Sequence, residues 1–256
     1  MPRLAVVTGA SSGIGLAIVR GLAGAGCDVA LVDVAPLARQ QGIAAELSAA
    51  HGVRARGYEA DVADRGAVGE LARRVEADLG VADVLVNNAG IWTTTDPGVT
   101  PLDEFDRLVD VNLRGPFYVC HFFLPAMLAR GSGNLIFVGS VSGVAGDPNS
   151  AAYSATKAGI AMLARTFATR LGPRGIRVNA IAPGAVATPL TAALQTPDGD
   201  AMIRAMMAKH PSPTRRFFMQ PEEIASLALF LASDASSALH GAVLVADQGL
   251  SASLPA

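Results

Sequence analysis

The stretch L-A-V-V-T-G-A-S-S-G-I-G, residues 4–15, decides the fold. Its first half is a short apolar, β-branched run, the pattern of a strand covered on both faces. Its second half is a glycine-rich turn that opens directly into a helical pattern. Glycines in such a turn let the backbone bend tightly and approach a pyrophosphate, whose charge is favoured at a helix N-terminus. The residues that would do so are Gly9, Ser11, Ser12, Gly13, Ile14 and Gly15. A glycine-rich turn alone is weak evidence, because many strand-to-helix turns need glycine merely for geometry.

Outward from this stretch the same rhythm repeats. Further strands are expected at 28–33, 53–58, 83–87, 134–140, 176–181 and 242–246. Helical patterns fall near 14–25, 36–50, 64–79, 102–130, 151–171 and 221–232. Alternation of this kind predicts an α/β fold: a Rossmann-type, doubly wound parallel sheet of about seven strands with helices on both faces. No linker or repeat divides it, so residues 1–256 read as a single domain. The exception is 184–219, rich in Gly, Pro, Thr, Met and Phe. It reads either as a surface excursion or as a substrate lid near 188–219, with Met202, Met206, Met207, Phe217, Phe218 and Met219 as an adaptable wall or as core.

The second strand ends in Asp33, 18 residues beyond Gly15. An acidic residue there accepts hydrogen bonds from the adenosine ribose hydroxyls and repels a 2′-phosphate. No basic residue follows it directly, and Ser12 stands where an arginine could have held that phosphate. The cofactor expected is NAD rather than NADP.

Composition narrows the class. With 51% hydrophobic and 16% charged residues the chain buries a large core, and disorder is excluded. A formal net charge of −2 without a block of Lys or Arg gives no footprint for nucleic acid or an anionic membrane. Cys27 and Cys120 match no metal or redox spacing, and the four His form no ligand cluster, so no metal is expected. The chain enters a strand at Leu4, which leaves no room for a signal peptide, and no apolar run reaches transmembrane length. A soluble cytoplasmic protein is the expectation.

The segment Y-S-A-T-K (153–157) places a phenol and an amine on one face of a helix, one turn apart. On spacing alone this is an amphipathic helix with a half-buried Tyr and a solvated Lys. The other fragments change that reading. T-G-A-S-S-G-I-G (8–15), D-V (61–62), N-N-A-G (87–90), Asn112 in V-N-L-R-G-P-F, Ser140 in G-S-V-S-G, Y-S-A-T-K, P-G (183–184) with Thr188, and the tail P-E-E-I-A…F-L-A-S-D-A-S stand in a specific order and spacing. In them the sequence resembles the short-chain dehydrogenase/reductase family over nearly its full length.

The resemblance implies roles by position. Asp61 and Val62 would hold the adenine; Asn87, Asn88, Ala89 and Gly90 would stabilise the sheet and line the cofactor cleft. Pro183, Gly184, Val186 and Thr188 would follow the cofactor, with Thr188 on the nicotinamide carboxamide or, more plainly, an N-cap before Pro189. Tyr153 would be the catalytic base, its pKa lowered from about 10 by the Lys157 ammonium and an oxidised nicotinamide. Lys157 would also bond the nicotinamide ribose, Ser140 would hold the substrate oxygen, and Asn112 would bind a relay water. Taken singly, Ser140 reads as a strand-terminal hydroxyl and Asn112 as a helix kink or cap.

Trp92, Ser142, Asn149 and Ala185 are the candidate substrate contacts, Trp92 being equally readable as core. Arg204, Lys209, Arg215 and Arg216 beside the lid leave an anionic substrate open. Two departures stand out: Phe217-Phe218-Met219 replaces a glycine-containing turn, and Asp247-Gln248-Gly249 replaces D-G-G. Three functions remain: an NAD-dependent dehydrogenase of secondary alcohols or polyols, a 3-oxoacyl-thioester reductase, and a non-catalytic NAD-binding regulator. A homotetramer or dimer through the helices near 102–130 and 151–171 is expected.

Overall fold

Residues 4–93, 98–147, 150–195 and 212–252 are described in this computed structural model. L-A-V-V-T forms β1 (Leu4–Thr8), buried at every position. The chain then runs α1 (Gly13–Gly24), β2 (Asp28–Asp33), α2 (Leu37–His51), β3 (Ala55–Glu59), α3 (Arg65–Asp78) and β4 (Val84–Asn87). It continues through α4 (Leu102–Val109), a π-helical turn (Asp110–Arg114), α5 (Gly115–Arg130), β5 (Gly133–Val138), α6 (Ala151–Leu171) and β6 (Ile176–Pro183). After the 184–219 excursion come α7 (Pro221–Ala232) and β7 (Val243–Ala246).

The seven strands form one sheet in the order β3-β2-β1-β4-β5-β6-β7, and every pair is parallel. Alternate residues of each strand feed opposite faces. Val6, Leu85, Leu135 and Val178 join the core under α3, α5 and α6, whereas Val7, Val86, Ile136 and Ile181 join the core under α1, α2 and α7. Helices on both faces are what make the strands apolar on consecutive positions. The chain leaves β1 toward β2 on one side and later returns to β4 on the other. The crevice between β1 and β4 is therefore a topological switch point, open at the carboxyl ends of the strands.

The long helix expected over 102–130 is interrupted. α4 and α5 are joined by the π turn that carries Asn112. β3 begins two residues later than expected, and β5 ends at Val138, so Ser140 stands beyond its strand.

Candidate active site

The β1–α1 turn is built for close approach. Gly9 has φ +66°, in the left-handed region, and a Cβ on Gly15 would stand 2.0 Å from the Gly9 carbonyl oxygen. No acidic side chain lies in the first turn of α1, and Ser12, its N-cap residue, makes no side-chain capping bond. Asp33 fixes the turn from the end of β2: its Oδ2 accepts from the Ser11 amide and its Oδ1 from the Ala35 amide, both at 2.9 Å. The Ser11 hydroxyl is buried with no hydrogen-bond partner among the described residues. A glycine cradle, a helix N-terminus and a strand-end carboxylate fit a dinucleotide, with its pyrophosphate at the turn and a ribose at Asp33.

Arg39 was not among the sequence candidates. From the first turn of α2 its Nη2 donates to the Ser11 carbonyl oxygen at 3.0 Å, which sets a guanidinium beside the Asp33 turn. Only the fold brings a residue six positions past Asp33 back over the first turn.

At the switch point Thr8 ties β1 to β4. Its Oγ1 accepts from the Asn88 and Ala89 amides at 3.0 Å each, while Asn88 Nδ2 donates to the Thr8 carbonyl oxygen at 2.9 Å. Asn87 turns the other way, into the core, where its Nδ2 donates to Cys120 Sγ at 3.5 Å. A Cβ on Gly90 would stand 3.2 Å from both Asn112 Oδ1 and Lys157 Nζ, so the missing side chain lets these groups converge. Asp61 is exposed beyond β3 and accepts from the Ala63 amide; Val62 is buried against Gly115.

Tyr153 and Lys157 lie one turn apart on α6, 9% and 5% exposed. The solvated lysine that spacing alone suggests is therefore excluded. Lys157 Nζ donates to the Val138 carbonyl oxygen at 3.1 Å and lies 5.6 Å from the centre of the Tyr153 ring. Burial pulls the ammonium down from 10.5 to about 8. Burial pushes the phenol up to about 12, opposed by a hydrogen bond with the Ser140 side chain and aided by the charge of Asp147. The expectation that Lys157 lowers this phenol is not met in the chain by itself. The ammonium faces the ring, and desolvation outweighs the Ser140 bond.

Ser140 caps the short turn Val141–Gly143, its Oγ accepting from the Ser142 amide at 3.1 Å. Ser142 Oγ in turn donates to Asp147 Oδ2 at 3.3 Å. Trp92 packs with Leu108, Ala152 and Tyr153, and its Nε1 donates to Ser150 Oγ at 3.0 Å. Trp92 is thus both partly buried packing and a neighbour of the phenol. Asn149 lies outside the described residues, as do Thr94, Thr95, Met202, Arg204, Met206, Met207 and Lys209 of the expected rim and lid.

Pro183 ends β6, and the amide of Gly184 donates to the Ala246 carbonyl oxygen at 2.9 Å. The two ends of the excursion then pair. The Met219 amide donates to the Ala185 carbonyl oxygen and the Ala187 amide to that of Met219, each at 2.9 Å, with Val186 and Met219 both buried. Thr188 precedes a 3-10 turn (Pro189–Leu194), and its Cγ2 lies 3.0 Å from where a Cβ on Gly13 would stand. The excursion therefore returns to the mouth of the dinucleotide turn.

One of the two departures, Gln248, contacts the segment that leads into the other. Gln248 has φ +54° and accepts, through Oε1, from the hydroxyls of Ser212 and Thr214. Met219 belongs to the core rather than to the pocket rim.

Comparison with known proteins agrees with this geometry. The family model described as enoyl-(acyl carrier protein) reductase matches residues 9–251. Cis-4-hydroxycyclohexanecarboxylate dehydrogenase of Sinomonas cyclohexanicum is 44% identical over 98% of this chain and 97% of its own length. D-threitol dehydrogenase of Mycolicibacterium smegmatis is 37% identical over 96% and 92%. A gluconate 5-dehydrogenase from Burkholderia cenocepacia J2315, solved in complex with NADP and tartrate, superposes with a TM-score of 0.92 at 34% identity, covering 98% of this chain and 96% of that one. The chain belongs to the short-chain dehydrogenase/reductase family. It is an oxidoreductase acting on CH–OH groups with a nicotinamide cofactor. Among the described residues no helix is long and apolar enough to cross a membrane.

Proposed function

We propose that this protein is an NAD-preferring dehydrogenase that oxidises a secondary alcohol or polyol to the ketone, reversibly, with Tyr153 as base. The observation that carries the reading is the convergence of Ser140, which favours the Tyr153 phenolate, with Tyr153 and a buried Lys157 just beyond the carboxyl edge of the sheet. The cofactor supplies the hydride acceptor and, when oxidised, a positive charge that favours phenolate over phenol. Gly9, Ser11, Ser12, Gly13, Ile14 and Gly15 cradle its pyrophosphate. Asp33 takes the adenosine ribose, Asp61 and Val62 the adenine, and Asn88, Ala89, Gly90, Pro183, Gly184, Val186 and Thr188 line the remaining cleft.

In oxidation Ser140 holds the alcohol oxygen by hydrogen bonding, and Tyr153 takes the hydroxyl proton as the carbinol C–H leaves as hydride. Lys157 holds the nicotinamide ribose and keeps a cation within reach of the charge that develops on the phenol. Asn112 holds the Ile91 backbone beside Gly90 through bonds to both its amide and its carbonyl oxygen, and Tyr153 releases its proton to solvent. Trp92, Ser142 and Ala185 border the substrate. The exposed apolar side chains Leu102, Phe105, Phe117 and Met162 on α4, α5 and α6 support a homo-oligomer, and a cytoplasmic setting belongs to the same proposal.

A nicotinamide-absorbance screen tests the reading. NAD+ or NADP+ is paired with polyols, cyclic and aryl secondary alcohols and 3-hydroxyacyl thioesters, and the reverse reactions are run. NAD-linked oxidation of an alcohol is the expected result. Preferential NADPH-linked reduction of 3-oxoacyl thioesters would replace it with the thioester reductase, and tight NAD binding without turnover would leave a non-catalytic binding role.

A further inference from the structure

The loop between β5 and α6 brings a carboxylate to the reacting centre that the proposed chemistry does not use. Asp147 is half-buried, and its Oδ2 accepts from Ser142 Oγ at 3.3 Å. The Ser142 amide donates to Ser140 Oγ, and Ser140 acts on the Tyr153 phenol. Ser142 therefore holds the carboxylate on one side and Ser140, the neighbour of the phenol, on the other. The Asp147 carbonyl oxygen accepts from the Ser150 amide at 3.3 Å, and Ser150 Oγ accepts from Trp92, so the loop is held against the same aromatic cluster that buries Tyr153. The charge of Asp147 reaches the phenol, which it makes harder to ionise. The nearby cation, Lys157, lies over the ring and donates to the Val138 carbonyl oxygen.

A negative wall beside a base is a cost to an enzyme that needs the phenolate, and it has a use only if it acts on the substrate. We propose that Asp147 selects alcohols that are uncharged and carry a second hydroxyl, against alcohols that carry a carboxylate. A second hydroxyl donates a charge-assisted hydrogen bond to Asp147, whereas a carboxylate meets like charge in a partly desolvated pocket. This deepens the proposed alcohol dehydrogenase reading and rests on it. It also separates this chain from its 44% identical relative, whose named substrate is a hydroxycarboxylate.

The test uses a matched pair, 4-(hydroxymethyl)cyclohexanol and 4-hydroxycyclohexanecarboxylate, which differ only in CH2OH against COO−. Trp92 is the single tryptophan of the chain, so its emission reports on pocket binding without turnover. Both ligands are titrated, with NADH present so that neither alcohol is oxidised, into the wild type, Asp147→Asn and Asp147→Glu, and NAD+-linked oxidation rates are measured in parallel. The wild type is expected to favour the diol on the order of 100-fold. Asp147→Asn, which preserves shape and removes charge, narrows that ratio at least about tenfold, and Asp147→Glu restores it. Equal binding of the pair by the wild type, a ratio unmoved by Asp147→Asn, or binding of neither ligand overturns the assignment. A binding ratio that shifts as stated while neither ligand is oxidised counts against the dehydrogenase reading and leaves the role of Asp147 standing.

Discussion

The Lys157 ammonium lies 5.6 Å from the centre of the Tyr153 ring, over its face, and spends a hydrogen bond on the Val138 carbonyl rather than on the phenol oxygen. Both groups are buried, so each resists its charged form. Lys157 falls to about 8 and Tyr153 rises to about 12. The chain thus carries a cation at a place that disfavours it, and that strain is visible in stability as well as in catalysis.

For Lys157 the folded value lies below the unfolded one of 10.5. Between about pH 8 and 10.5 the unfolded chain holds a proton that the folded chain has released, so stability rises with pH through that window. At pH 7 the buried charge costs roughly 3 kcal/mol net. Lys157→Met is expected to melt a few degrees higher than the wild type at pH 7, with the gap closing by pH 10. Thermal melts across that range check it. Only two lysines exist in the sequence, so NMR of 13Cε-labelled lysine also reads the titration directly. A Lys157 signal that titrates above pH 10 would contradict the burial argument.

Tyr153→Phe removes one hydroxyl from a side chain whose ring packs with Leu108, Ala152 and Trp92. The packing survives, so folding and cofactor affinity should change little. Loss of a general base is expected to lower kcat by about 100-fold or more. Cofactor titration by calorimetry beside steady-state rates separates the two effects. Retention of most of the rate removes Tyr153 from the mechanism.

Asp33 and Arg39 act on the same turn with opposite charge. Asp33 accepts from the Ser11 amide, and Arg39 donates to the Ser11 carbonyl oxygen. Asp33→Asn is expected to weaken NAD+ by about tenfold and to improve NADP+. Arg39→Ala on that background should remove the gain for NADP+ and barely affect NAD+, because only the 2′-phosphate pairs with the guanidinium. Calorimetric binding of both cofactors to the four proteins of the cycle decides it. Unchanged preference in Asp33→Asn takes Asp33 off the ribose.

Gln248 holds a left-handed conformation with a full side chain, where D-G-G would place glycine. Its oxygen gathers the Ser212 and Thr214 hydroxyls, which glycine could not do. Replacing it separates the two contributions. Gln248→Ala keeps the backbone strain and loses the bonds, whereas Gln248→Gly loses both. Gln248→Gly should be more stable than Gln248→Ala by about 1 kcal/mol, and chemical denaturation of the pair measures it. Equal stability means that the loop relaxes without cost.

The sheet and its helices were legible in the sequence because strand burial on both faces leaves consecutive apolar residues, as in Val29 to Val32. The turn and Asp33 were legible because glycine and a strand-end carboxylate sit at fixed offsets from one strand. Arg39, Asp147 and the Gln248 contacts were not. Each depends on a side chain crossing from one loop to another, and local periodicity carries no trace of that. Lys157 shows the same limit in sharper form. Its helical face could be read, but its direction toward Val138 and its cost of burial belong to the packing around it. The departures at 217–219 and 248 are separate in the sequence; the fold makes neighbours of the excursion and the chain's C-terminal segment.

Asn112 provides the final discrimination. The resemblance assigns it a relay water, yet its side chain is already committed to backbone. Its Oδ1 accepts from the Ile91 amide at 2.8 Å, and its Nδ2 donates to the Ile91 carbonyl oxygen at 2.9 Å. A further bond reaches Thr156 Oγ1 at 3.3 Å, and the residue is 1% exposed. The π turn widens the helix just where this amide must face the chain beyond Gly90. Asn112→Ala would leave both Ile91 groups without a partner, a loss of about 2–4 kcal/mol. A residue that served only as a water site would lose rate and keep stability. Denaturation and kinetics of Asn112→Ala are therefore expected to fall together, with cofactor affinity falling too as Gly90 and Ile91 loosen. A stable Asn112→Ala with impaired turnover would restore the relay as its principal task.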